Sequence, residues 1–145
     1  MATLLGAINA SASALDAQRA RMEVAVSNMA NAESTRGANG EPYRRRDVVF
    51  ESTSGDPFGQ AMGAASSGNA DGVRVAAVIE DQTPFKKRYG PCHTDADAEG
   101  FVLVPNVDVP EEMVNLLSAA RGYQAKLTAI GLIRETVQKA RELAE

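Results

Sequence analysis

Residues 108–144, DVPEEMVNLLSAARGYQAKLTAIGLIRETVQKARELA, decide the fold. The series Met113, Leu116, Ala120, Tyr123, Leu127, Ile130, Arg134, Val137, Arg141 and Ala144 advances by three and four residues. That is the repeat of a helix carrying one heptad seam. Asp108 with Glu111 reads as a capping pair, and Pro110 falls in the first turn, where a missing N–H costs nothing. Glu111 and Glu112 suit the positive end of the helix dipole, and Lys139 and Arg141 the negative end. The predicted helix is about 50 Å long at 1.5 Å per residue.

Working back to the other end, residues 3–31 repeat the pattern. Ile8, Leu15, Met22 and Met29 stand seven apart, with Leu5, Ala12 and Val26 beside that column. Between the helices the texture changes to short strands, expected at Asp47–Glu51, Val73–Glu80, Phe85–Tyr89 and Phe101–Val104. In the second of these, Val73, Val75, Ala77 and Ile79 make one apolar face. Residues 52–72 are rich in Gly and Ser and read as a flexible loop. The predicted class is α+β: long N- and C-terminal helices pair as a coiled-coil-like hairpin, with a small antiparallel β module between them. Three segments follow: an N-terminal assembly helix at 1–32, the β module at 33–107, and a C-terminal assembly helix at 108–145.

Composition narrows the chemistry. The chain has 145 residues, 15 Lys+Arg against 19 Asp+Glu, one His, one Cys and no Trp. One Cys cannot form an internal disulfide, and one Cys with one His cannot build the usual zinc sites. A net charge of −4 gives no field that draws nucleic acid. No apolar run approaches the roughly 20 residues of a membrane span. The first basic residue is Arg19, so the start lacks the basic region of a secretory signal; taken alone, that suggests cytoplasm.

Cys92-His93 with Asp95 and Asp97 is the one metal-like cluster, and Asp95, Asp97, Glu99 and Gly100 match the start of a calcium loop. Asn106 stands where such a loop needs its bidentate Glu, so a polar turn before a strand explains the same residues. No metal, cofactor or catalytic residue is expected. Arg44-Arg45-Arg46 and Lys86-Lys87-Arg88 read as charged guards on strand edges.

The exit from the first helix, VSNMANAESTRGANGEPYRRRDVVF over residues 26–50, carries Asn28, Asn31, Pro42 and Tyr43. Later come Asp95-Ala-Asp-Ala-Glu-Gly-Phe-Val102, then Pro105-Asn106-Val107-Asp108, then Glu112-Met113-Val114. In this order the motifs resemble the bacterial flagellar basal-body rod proteins, most nearly the proximal rod members. The resemblance implies a structural subunit that polymerises through its terminal helices into the drive shaft transmitting torque for motility. It implies as partners other rod proteins, copies of itself and the flagellar type III export apparatus, with no nucleic acid and no direct membrane insertion. It also places the protein in the periplasmic rod, exported without a cleaved signal peptide. The assembly seam is expected at Leu5, Ile8, Leu15, Met22, Val26, Met29, Met113, Leu116, Ala120, Tyr123, Leu127, Ile130 and Val137. The residues themselves also admit a free-standing coiled-coil dimer or adaptor/chaperone scaffold, and a small enzyme using Cys92, His93 or the Asp95 and Asp97 carboxylates.

Overall fold

The structure is a computed structural model that describes residues 2–37, 39–53 and 72–143. Its elements are α1 (Ala2–Ala30), β1 (Arg46–Ser52), β2 (Val73–Glu80), β3 (Lys86–Tyr89), β4 (Phe101–Val104) and α2 (Val109–Glu142). This is the expected α+β arrangement, two long helices with small antiparallel sheets between them. The expected 52–72 loop lies mostly outside the described residues, as does Ala144.

The chain divides into two compact units, each drawing on both helices and on the segment between them. Unit 1 is Met1–Ala20, Phe50–Ala76 and Ala119–Glu145; unit 2 is Arg21–Val49 and Ala77–Ser118. In unit 2, Asn28 meets Glu112 and Arg21 meets Asn115, so the helices run antiparallel. In unit 1, Gly122 lies against Gln18, where a Cβ would stand 3.3 Å from Gln18 Cδ. Small residues allow that close approach, and Ala17 and Ala119 are buried in the same unit.

The β3–β4 ladder pairs Lys86 with Val104, Lys87 with Leu103, Arg88 with Val102 and Tyr89 with Phe101. Val102 is buried and its neighbour Leu103 exposed, since adjacent strand residues face opposite ways. Gly100 enters β4 at φ +80°, and a Cβ there would sit 3.1 Å from Tyr89 Cε2. Glycine is required by both backbone and space.

β1 and β2 form a two-stranded sheet. Thr53 N–H donates to Gly72 C=O at one end and Asp81 N–H to Arg45 C=O at the other. Of the apolar face read on β2, Val73 is half-buried and Val75, Ala77 and Ile79 are exposed, as are Val78 on the other face and Val49 and Phe50 of β1. A ribbon of two strands has too little breadth to bury its own alternating side chains.

Candidate functional site

Asn28 is fully buried near the end of α1 and uses all of its hydrogen-bonding capacity. Its Nδ2 donates to the Arg46 carbonyl at 2.8 Å and to Glu112 Oε2 at 3.1 Å. Its Oδ1 accepts from Tyr43 OH at 2.9 Å and from Arg46 N–H at 3.0 Å. One amide thus serves the backbone entering β1 and the first turns of α2 together.

Asn106 does the same work across the chain. Its Oδ1 accepts from Arg45 N–H at 2.8 Å. Its Nδ2 donates to Thr83 Oγ1 at 2.8 Å, and at longer range to the carbonyls of Asp81 and Thr83. Pro105 beside it is fully buried, and its missing N–H leaves no donor to satisfy there.

Between the two amides lies the Arg45–Glu112 pair. Arg45 Nε donates to Glu112 Oε1 at 2.7 Å, and Glu112 is only 2% exposed. Burial by itself lowers the basicity of Arg45. The hydrogen bond that Arg45 donates to Glu112 and the charges of Glu112, Asp47 and Glu111 outweigh burial and hold Arg45 above its ordinary range. Asp81, 3.7 Å from Arg45 Nη1, is held below the usual carboxylate range. The main causes are hydrogen bonds from the Thr83 backbone and hydroxyl, which outweigh desolvation, with smaller help from Arg45 and Arg44.

The motif residues therefore converge in unit 2. Asn28, Tyr43, Asn106 and Glu112 share one buried network, and Pro42 and Pro105 are buried in the same unit. Asn31 closes α1, its Nδ2 donating to the Ser27 carbonyl at 2.8 Å. Asp108 immediately precedes α2, with Oδ2 3.8 Å from Lys86 Nζ.

Thr83 joins the network without any expectation from the sequence, and Arg45 joins it in a role other than the one expected. The edge-guard expectation for Arg44-Arg45-Arg46 is corrected here: Arg45 turns inward to Glu112, and Arg44 stacks 4.3 Å over the Phe85 ring. A lone carboxylate on the inner side of α2 was the available signal, because a buried charge needs a partner. In the metal-like cluster, Asp95 binds Thr35 Oγ1 at 2.9 Å and Arg36 at 2.8 Å. Asp97 Oδ1 accepts from the N–H groups of Glu99 and Phe101. Asp97 thus closes its own turn and Asp95 ties that turn to the segment after α1, and Cys92 is exposed.

The expected seam residues sit differently. Val26, Met113 and Leu127 are exposed, the last two by 53% and 55%. Ile8, Leu15, Met22, Met29, Leu116, Ala120, Tyr123, Ile130 and Val137 are half-buried. The side chain of Leu5 lies outside the described residues. Within the chain the fully covered positions of α2 are Glu112 and Ala119.

Residues 98–143 match the family "Flagellar basal body rod FlgEFG protein C-terminal". The chain is 43% identical to the flagellar basal-body rod protein FlgC of Bacillus subtilis, over 99% of both chains. It is 44% identical to that of Salmonella typhimurium over 98% of both. It is 35% identical to that of Borreliella burgdorferi over 94% of this chain and 95% of the other. The chain belongs to the flagellar basal-body rod protein FlgC family.

Proposed function

We propose that the chain is a structural subunit of the flagellar basal-body rod, polymerising through its terminal helices into the shaft that carries torque. The observation that carries this reading is the apolar surface left on α2. Met113, Val114, Leu117, Leu127 and Leu132 are each more than half exposed along one helix. Exposed apolar surface of that extent marks an interaction site. The expected seam residues flank the intrachain contact instead of filling it, which leaves them for neighbours.

Its partners are then copies of itself and other rod proteins, reached after passage through the flagellar type III export apparatus. Its place is the periplasmic part of the basal body, without a cleaved signal, and it has no catalytic role. Conversion of Leu127 to Asp separates assembly from folding. At a half-exposed position the carboxylate changes chain stability by no more than about 0.5 kcal/mol. Buried against a neighbour without a partner, it costs several kcal/mol. In a strain lacking its own rod subunit, the unaltered chain should restore swimming and Leu127→Asp should not. Normal swimming with Leu127→Asp, or none with the unaltered chain, contradicts the reading.

A further inference from the structure

We infer that the Glu112–Asn28–Arg45 network holds α2 at a rotational setting that its apolar residues alone would not choose. In its first turns α2 buries Glu112 and half-buries Asn115, while Met113, Val114 and Leu117 are more than half exposed. Burial of apolar area favours the reverse, because covering Met or Leu stabilises a fold and covering a carboxylate costs. A turn of roughly 50° about the helix axis, half the step between successive residues, carries Met113 inward and Asn115 outward. That turned setting is the one the heptad series Met113, Leu116, Ala120, Tyr123 reads out from sequence.

The bonds that oppose it are anchored outside α2. Glu112 Oε1 is held by Arg45 Nε and Oε2 by Asn28 Nδ2. Asn28 cannot follow a turning helix, because its other bonds are to the Arg46 backbone and Tyr43. Arg21 Nη2, donating to Asn115 Oδ1 at 3.1 Å, ties the same side of α2 one turn later. A buried, fully bonded charge pair is a known means of specifying one arrangement over near alternatives. Its effect here is to keep Met113 and Leu117 facing out. Use of that surface by a neighbouring subunit rests on the proposed assembly; the lock itself does not, and it is readable in dilute chain.

The test uses the full chain with Cys92→Ser and one new cysteine, Met113→Cys or Asn115→Cys. Reaction with a small maleimide is timed with and without the paired change Arg45→Met and Glu112→Ala, which removes both charges, strands neither and adds little apolar area at 112. With the lock released, the reaction at 113 should slow on the order of tenfold and the reaction at 115 should quicken several-fold, as the protected side of the helix changes. Rates that stay the same overturn the proposal. Rates that rise together overturn it too, since the network then holds the helix in place without setting its rotation.

Discussion

Unit 2 is tied together by a buried polar network, whereas the fully buried apolar residues described in unit 1 are alanines. In unit 2 two asparagines, a buried ion pair and Pro105 bind the end of α1, the entry to β1, the 81–83 turn and the start of α2. Among the described residues of unit 1 the buried apolar ones are Ala17 and Ala119, and Leu127, Leu132 and Leu143 are exposed. Ser13 Oγ accepts from Val73 N–H at 3.1 Å, which fixes the start of β2 to α1. Gln18 Oε1 is buried there without a hydrogen-bond partner. The difference shows two ways of using one helix pair. A polar network ties one half, and among the described residues small side chains bring the helices together in the other.

The contrast is broken most strongly at Glu112. Glu112→Ala takes away the acceptor of both Arg45 Nε and Asn28 Nδ2 and should destabilise unit 2 by about 3–5 kcal/mol, the usual cost of removing one partner of a buried pair. Chemical denaturation followed by far-ultraviolet circular dichroism reads this; a loss below 1 kcal/mol (on the order of a surface change) would mean the pair is not integral. Next comes Asn28→Ala, which leaves the Arg46 backbone N–H and carbonyl without their side-chain partner. A loss of about 1–3 kcal/mol is expected, visible as faster amide exchange at Arg46.

Gly122→Ala sharpens the comparison from the other side. The new methyl presses on Gln18, a flexible side chain whose oxygen already lacks a partner, so it can yield. Helix propensity then dominates, and the change should stabilise α2 by up to about 1 kcal/mol. A lower melting temperature would show that Gln18 is fixed.

The smallest effect is with pH. Asp81 has a depressed pKa in the folded chain, so its contribution is fully present above the ordinary unfolded carboxylate value of about 3.9. It is lost as pH falls through the lower folded value. Asp81→Asn should therefore lower stability slightly at neutral pH and flatten the acid limb, the two chains converging in acid; an unaltered acid limb would remove Asp81 from the account.

Much of this fold was legible in advance. β2 and β4 appear at their expected bounds, and both helices end within two residues of their expected limits. The strands could be read because alternation and the turn at Gly100 are local signals. Asn28 and Asn106 were legible as motif members, although not as members of one network. Two features were hidden for the same reason. Apolar periodicity reports where area can be buried, within the chain or against a neighbour, and it carries no sign that a carboxylate such as Glu112 is covered. The rotation of α2 and the inward turn of Arg45 depend on hydrogen-bond partners dozens of residues away, which no local period records.

Amide hydrogen exchange on the dilute chain and on assembled rods tests the two-unit account most directly. In the dilute chain, the helical and strand amides within residues 21–49 and 77–118 should be well protected, and those of 124–142 should exchange quickly. In rods, 124–142 should gain strong protection while unit 2 changes little. Equal protection of both units in the dilute chain, or no gain along 124–142 on assembly, would contradict it.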